Sequence, residues 1–194
     1  MIERLVVASH NPDKVVEIEE ILDGLFGGLV RGLSWPEVVE TGATLEENAR
    51  LKARAVAGYS GLPSLADDTG LEVDALNGQP GVETARFSGP DATYQSNVDC
   101  LLEVLAGVDD RRARFRTVVV LAYPDGREIM AEGVLDGSIA TSPRGSGGFG
   151  YDPIFEVAGR TLAEMDSKNK NMISHRSRAI RALAAALQER NLAR

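Results

Sequence analysis

The chain of 194 residues is 43% hydrophobic, so it can bury one sizeable core in a single domain spanning residues 1–194. Its formal net charge of -8 excludes the extended basic surface that binds nucleic acids or anionic membranes. The single cysteine, Cys100, cannot form an intrachain disulfide, and no apolar run reaches about 18 residues, so we expect a cytoplasmic protein with neither nucleic-acid nor membrane partners.

The chain opens with a predicted strand, a polar loop and a helix. Arg4–Ala8 is short and apolar, as in a buried strand. Asn11 suits the N-cap of the following helix, and Pro12 suits its first position, where a missing N–H costs nothing. Apolar residues then recur at spacings of three and four and predict one buried helix face: Val15, Ile18, Leu22 and Leu25.

A second helix and a divided strand are predicted next. Thr44 and Glu47 form a capping-box pattern, which predicts a helix that starts there and ends at Gly58. Leu62–Ala66 and Leu71–Val73 are predicted to be separate strand pieces on either side of the sequence Asp-Asp-Thr-Gly. Strands and helices in this order favour an α/β fold.

The second half is predicted to contain a hairpin, a loop and a closing helix. Arg114–Tyr123 and Glu128–Leu135 flank the turn sequence Pro-Asp-Gly and predict a β-hairpin. Ser142–Gly150 is dominated by glycine, serine and proline and predicts a loop, and a helix with one apolar face is predicted from Ser174. Together the elements predict one α/β unit with a mixed sheet.

The loop from Ser9 to Lys14 is a candidate phosphate site. It lies at a strand-to-helix junction, where free backbone N–H groups and the helix dipole favour an anion. Lys14, one turn into the helix, adds a positive charge. The alternative is that Asn11 only caps the helix and that Lys14 is solvated.

Asp67 and Asp68 place adjacent carboxylates at the predicted end of a strand, where neighbouring side chains point to opposite faces. Carboxylates bind Mg²⁺, which also takes phosphates and waters, and a nearby carboxylate can orient or deprotonate an attacking water. The pair therefore indicates metal-assisted hydrolysis. The alternative is an aspartate-rich turn before Gly70.

The segment Gly145–Gly150 matches the dinucleotide-binding pattern G-x-G-x-x-G, but Asp152-Pro153 blocks the helix that this motif requires. We therefore reject a nicotinamide site. The loop can instead bring Phe149 and Tyr151 to a flat ligand, since aromatic rings stack on bases. A plain glycine-rich turn is the alternative.

Cationic or potentially cationic side chains gather near the start of the last helix, although the chain is acidic overall: Lys168, Lys170, His175, Arg176 and Arg178. Positive residues at a helix N-terminus oppose the helix dipole, so their concentration suggests recognition of an anion or of a base edge. A solvated face is the alternative.

The order of these motifs resembles the inosine triphosphate pyrophosphatase family, whose members act on non-canonical purine nucleoside triphosphates. The matching stretches span most of the chain: Ser9–Lys14, Glu40–Gly42, Glu47–Ala49, Leu65–Leu71, Gly78–Gly81, Gly147–Pro153 and Ile173–Arg176.

The resemblance implies roles for individual residues. Asp68 looks like the catalytic carboxylate, which also touches Mg²⁺. Glu40 is expected to be the second metal carboxylate; Val39 stands before it where many bacterial relatives have another acidic residue. The implied substrate-binding residues are Ser9, His10, Asn11, Pro12, Asp13, Lys14, Lys52, Thr69, Phe149, Gly150, Tyr151, Asp152, Lys170, His175 and Arg176.

The resemblance also implies the fold, the reaction and the assembly. The expected fold is an elongated mixed β-sheet flanked by helices, with two lobes around a central cleft, usually paired as a homodimer. The expected reaction is Mg²⁺-dependent hydrolysis of ITP, dITP or XTP to the monophosphate and pyrophosphate. Two alternatives stay open: a septum-inhibitor-type pyrophosphatase acting on pyrimidine or modified nucleotides, and a nucleotide sensor without catalysis.

Overall fold

The computed structural model describes residues 2–25 and 27–192, with side chains up to residue 190. The helices are α1 (Pro12–Leu22), α2 (Leu45–Ser60), α3 (Tyr94–Val104), α4 (Ser167–Ile173) and α5 (His175–Leu192). The strands are β1 (Leu5–Val7), β2 (Leu29–Val30), β3 (Ser64–Val73), β4 (Pro80–Gly81), β5 (Arg112–Ala122), β6 (Glu128–Ile139), β7 (Phe155–Val157) and β8 (Arg160–Thr161). Among the described residues, no helix is long and apolar enough to span a membrane.

The strands form one mixed sheet in the order β2-β1-β3-β5-β6-β7-β8, with β4 paired to β3. β1 runs parallel to both β2 and β3, and Val6 pairs with Val30 on one side and Ser64 on the other. The pairs β3–β4, β6–β7 and β7–β8 are antiparallel. The predicted α/β fold with a mixed sheet is therefore confirmed.

The chain divides into two compact units. Unit 1 contains Met1–Asp68, Thr117–Gly133 and His175–Arg194, and unit 2 contains Thr69–Arg116 and Val134–Ser174. Each unit has its own apolar core. Fully buried residues of these cores include Leu5, Ile18, Leu65, Leu121 and Ile180 in unit 1, and Leu71, Leu101, Ile139, Ile154 and Phe155 in unit 2. Burying one such side chain contributes about 1.5–3 kcal/mol.

The predicted caps of the first two helices are confirmed. The Asn11 side chain accepts hydrogen bonds from the backbone N–H groups of Asp13 (3.0 Å) and Lys14 (3.1 Å). Thr44 and Glu47 form the reciprocal capping box at the start of α2. Local side-chain chemistry thus fixes where both helices begin.

Two predicted boundaries in the first half are wrong. α2 continues through Gly58 to Ser60 and ends at Gly61, whose φ of 66° is the left-handed conformation of a helix C-cap. β3 is one continuous strand from Ser64 to Val73, so the sequence Asp-Asp-Thr-Gly lies inside a strand and is not a turn. Pairing with β1 and β4 at its two ends keeps the strand extended through the two aspartates.

In the second half, the hairpin strands are longer than predicted and one helix was not predicted. The hairpin strands reach from Arg112 to Ala122 and from Glu128 to Ile139, both longer than expected. A short helix, α4, was not predicted and carries Lys168 and Lys170. Ser174 lies between α4 and α5, and the last helix begins at His175.

Candidate active site

The centre of the site in unit 1 is the pair of aspartates in β3. Asp67 is 2% exposed and Asp68 is 7% exposed. Successive strand residues point to opposite faces, and the two carboxylates have different partners: Asp67 binds Lys14 and Arg176, whereas Asp68 binds Lys52. The two aspartates therefore occupy different environments.

Asp67 belongs to a buried network of charged side chains. Its Oδ2 lies 3.3 Å from the Lys14 Nζ and 3.1 Å from the Arg176 Nε, and the Arg176 Nη1 lies 2.7 Å from the Glu17 Oε2. Burial alone would raise the pKa of Asp67, but the charges of Lys14, Arg176 and Lys52 outweigh it and hold that pKa far below its ordinary value. Asp67 is therefore ionised at neutral pH and holds two cations.

Asp68 shares a different cation. The Lys52 Nζ lies 3.0 Å from the Asp68 Oδ1 and 3.3 Å from the Glu40 Oε2, so one ammonium bridges two carboxylates. The pKa of Asp68 is raised, because burial and the charge of Glu40 outweigh the opposing charges of Lys52 and Lys14. The pKa of Lys52 is also raised, because Asp68, Asp67 and Glu40 outweigh the effect of its burial. Asp68 is thus the more basic of the two aspartates.

The segment that carries Glu40 is attached to the start of α2. The Gly42 N–H donates to the Oδ1 of the buried Asn48 (2.8 Å), and the Ala43 N–H donates to a Glu47 carboxylate oxygen (2.6 Å). A Cβ on Gly42 would lie 2.6 Å from that Asn48 oxygen and 2.6 Å from the Glu47 Cβ, so only glycine fits. This close approach holds the segment after Glu40 against the helix that carries Lys52.

Glu40 and Asp68 suit a magnesium ion, because Mg²⁺ is bound through one or two carboxylates and completes its coordination with waters and substrate phosphates. Their convergence on one ammonium shows that both carboxylates reach a single cation. Within residues 2–25 and 27–190, no three His, Cys, Asp or Glu side chains gather as a larger metal site. The donor set therefore fits an ion that arrives with a phosphorylated ligand.

The predicted phosphate loop forms the N-terminal end of α1. Besides its cap, the loop contains a hydrogen bond from the Asn11 N–H to the Ser9 Oγ (3.2 Å). The exposed His10 ring stacks on Trp35, with 5.1 Å between ring centroids and 17° between planes. Pro12 and Asp13 are exposed and lie on the first turn of the helix. From this loop, Lys14 reaches an aspartate of β3, with 3.3 Å between its Nζ and the Asp67 Oδ2.

A second cluster lies within unit 2, around Phe149. The Asp152 carboxylate, only 3% exposed, accepts a hydrogen bond from the Phe149 N–H (2.9 Å) and binds the buried Lys170 Nζ at 2.6 Å. The same ammonium lies 4.9 Å from the centre of the Phe149 ring, a cation–π distance. Tyr94, half exposed at the start of α3, lies 5.8 Å from that ring. Gly150 follows with a φ of 62°.

Three of the predicted residues are buried. Tyr151 is in the core of unit 2, where its hydroxyl donates to the Thr84 carbonyl oxygen (3.0 Å), so its ring does not join Phe149 at the surface. His175 is 3% exposed, with its Nδ1 2.6 Å from the Thr117 hydroxyl, and Arg176 is 2% exposed. The alternative, a solvated face for the cationic residues near the last helix, is therefore wrong for His175 and Arg176.

Sequence reasoning overlooked three residues that contact the predicted ones: Glu17, Trp35 and Tyr94. It also did not predict that Asp67 pairs with Lys14. Glu17 gave a signal, since it occupies the buried face of α1 although it is charged. Trp35 and Tyr94 gave none, because each meets its partner through the fold and not through sequence proximity. Thr69, half-buried, directly follows Asp68 on β3.

Comparisons with known proteins identify the family of the chain. The profile of the Ham1 family matches residues 5–186. A protein named dITP/XTP pyrophosphatase from Exiguobacterium sp. is 46% identical over 95% of this chain and 96% of its own length. One of the same name from Deinococcus deserti is 52% identical, covering 94% of this chain and 88% of its own. The solved structure of a HAM1 protein from Coxiella burnetii is 42% identical with a TM-score of 0.85, covering 97% of this chain and 100% of that one.

Proposed function

The chain belongs to the Ham1 family, and from that premise we propose that it is a nucleoside triphosphate pyrophosphatase. Its substrates are the non-canonical purine nucleotides ITP, dITP and XTP, which it hydrolyses to the monophosphate and pyrophosphate. Relatives named dITP/XTP pyrophosphatase support this assignment, since they match nearly the full length of both chains. The enzyme removes these nucleotides from the pool.

One observation of the site carries the proposal: a buried carboxylate of raised pKa, Asp68, lies against a lysine and a second carboxylate. A general base works best when its pKa approaches the working pH, and raising an aspartate's pKa moves it in that direction. The neighbouring Asp67 cannot serve, because its pKa is far below the ordinary value. We therefore assign the proton transfer to Asp68.

The proposed reaction is attack of water on the α-phosphorus. Asp68 orients the water and accepts its proton while the bond from the α-phosphorus to the bridging oxygen breaks and pyrophosphate leaves. Lys14 and Lys52 place positive charge against the negative charge that develops on the phosphate oxygens. Mg²⁺, which Asp68 and Glu40 would hold, supplies further positive charge to the triphosphate.

We assign recognition of the base to the residues that the family resemblance implies. Phe149, which has Lys170 and Tyr94 beside its ring, is the side chain that we expect to stack against a purine. A 6-keto purine presents an acceptor where adenine presents an amino donor, so donors in the site would reject adenine strongly. We also propose a homodimer in the cytoplasm, which sedimentation and cell fractionation would test.

The deciding experiment is pyrophosphate release from ITP, XTP, dITP, dATP, dGTP and dTTP, with Mg²⁺ present or removed by EDTA. We expect rapid pyrophosphate release from the first three nucleotides only when Mg²⁺ is present. Asp68→Asn is expected to lower kcat at least about 100-fold, the usual contribution of a general base. Circular dichroism of the variant checks that it has folded.

The same nucleotides separate the alternatives when orthophosphate release and nucleotide binding are measured as well. Release of orthophosphate, or faster hydrolysis of dTTP than of dITP, would contradict the proposal and favour a different nucleotide hydrolase. Binding of ITP without turnover, unchanged in Asp68→Asn, would identify a sensor.

A further inference from the structure

The Lys52 ammonium occupies an unusual place for a lysine expected to bind phosphate. Its Nζ lies 3.0 Å from the Asp68 Oδ1 and 3.3 Å from the Glu40 Oε2. These two carboxylates are the pair assigned above to Mg²⁺, so the inference that follows rests on the proposed function for the identity of the metal ligands. Lysine and metal thus require the same oxygens.

The ion pair between Lys52 and Asp68 is largely shielded from water. The Lys52 side chain is only 13% exposed and that of Asp68 only 11%, so water weakens their attraction less than at an open surface. A free divalent ion that approaches Glu40 and Asp68 therefore meets carboxylates whose charge is already partly neutralised.

Glu40 and Asp68 offer a free metal ion few ligands. Mg²⁺ sheds its waters reluctantly and binds firmly only where enough anionic oxygens replace them. In the part of the chain that the structure describes, Glu40 and Asp68 have no third His, Cys, Asp or Glu beside them that would complete a metal site. Two carboxylates that already share an ammonium are thus a weak site for the ion alone.

We propose that Lys52 acts as a resident counter-cation, which keeps the metal from loading until a nucleotide arrives. A triphosphate offers the ammonium other anionic oxygens, and the flexible four-carbon stem of lysine lets it turn towards them. Glu40 and Asp68 are then released, and the ion enters together with the phosphates. Lys14 does not bridge these two carboxylates, because its ion pair is with Asp67.

The test is a titration of the nucleotide-free protein with Mn²⁺, a paramagnetic substitute for Mg²⁺, in which electron paramagnetic resonance measures the unbound ion. We expect weak binding to the wild type and at least about tenfold tighter binding to Lys52→Met, a change of about 1.4 kcal/mol. Lys52→Arg keeps the charge and is expected to bind as weakly as the wild type. Lys52→Gln repeats the test if the methionine variant does not fold.

Two controls decide whether the effect is local. Lys168→Met removes the same charge from an exposed position on α4 and is expected to leave Mn²⁺ affinity unchanged. The double variant Lys52→Met/Glu40→Gln is expected to lose the gain, since it removes a metal carboxylate. Equal affinity of wild type and Lys52→Met, or an equal gain in Lys168→Met, would overturn the inference.

The metal titration is independent of the reaction. Failure to hydrolyse ITP, together with a gain in Lys52→Met, would reject the proposed function and leave Lys52 as the counter-cation of a metal site. Hydrolysis of ITP without any gain would reject the role of Lys52 alone.

Discussion

Asp67 and Asp68 are the same residue type on the same strand, yet their environments make them different acids. Asp67 has an arginine and a lysine on its Oδ2, and its pKa is far below the ordinary value. Asp68 has one lysine, which it shares with Glu40, and its pKa is raised. The balance of nearby charge, and not burial, separates them, because both are buried.

The raised pKa of Asp68 predicts how activity depends on pH. A general base must be ionised, so kcat/KM is expected to fall as pH drops through the Asp68 pKa, with a midpoint above about 4, the ordinary aspartate value. Glu40→Gln removes a negative charge that raises this pKa, so the acid limb of the profile is expected to move to lower pH. A pH profile of kcat/KM with ITP measures both.

Arg114→Met is a suitable control for this shift, since it alters an exposed ion pair with Glu72 in unit 2. Its acid limb is expected to coincide with that of the wild type. An unchanged limb in Glu40→Gln would show that Glu40 does not influence the group that titrates.

At the scale of elements, one glycine packs against the start of α2 and another lies near its end. Gly42 packs against the start of the helix so closely that a Cβ would collide with Asn48 and Glu47. Gly58, in contrast, lies exposed near the end of α2, and a Cβ there would meet nothing within 4 Å. The two glycines therefore have opposite tolerance to substitution.

Gly42→Ala is expected to displace the segment that carries Glu40 and to lower kcat/KM with ITP at least about tenfold, because small misplacements near reacting groups have large effects. Steady-state kinetics over a range of Mg²⁺ concentrations measures the change, and we expect a higher Mg²⁺ requirement. Activity equal to the wild type would mean that the segment does not position Glu40.

Gly58→Ala is the matched substitution on the same helix. Alanine in a helix interior is more favourable than glycine, so we expect a gain of about 0.5–1 kcal/mol in the free energy of unfolding and unchanged kinetics. Urea unfolding measures the gain. A loss of stability would contradict the open space seen around this residue.

At the scale of the whole molecule, local sequence patterns predicted the fold class, the two N-terminal caps and the hairpin, because each depends on neighbouring residues. The family resemblance is confirmed by the relatives, whereas the residue roles that it implies stay predictions. The continuous strand β3 was missed because pairing with β1 and β4 overrides the turn tendency of its aspartates and glycine. The contact of Arg176 with Glu17 joins residues 159 positions apart, which no local pattern reveals.

The buried charges of unit 1 predict how the protein responds to acid. The depressed pKa of Asp67 stabilises the fold fully above about pH 4, the pKa of an unfolded aspartate, and this contribution is lost as pH falls towards the folded pKa. Asp67→Asn is expected to lower the free energy of unfolding by about 3–5 kcal/mol at pH 7, because Arg176 loses a buried partner. The difference from the wild type is expected to shrink below pH 4, as urea unfolding across pH would show.

Asp125→Asn provides the comparison. This aspartate also has a lowered pKa, through hydrogen bonds with Arg127, but its side chain is exposed, so we expect no measurable change in the unfolding midpoint. A loss as large as that of Asp67→Asn would show that burial of the charge is not the cause.

Trp35 is the only tryptophan of the chain, and its ring stacks on His10 in the loop at the start of α1. Intrinsic fluorescence excited in the tryptophan band therefore reports on one place in the molecule. A ligand that separates the two rings would change the emission without any attached dye. The chain thus contains its own optical reporter of the loop at the start of α1, whose response to nucleotide can be followed in a stopped-flow instrument.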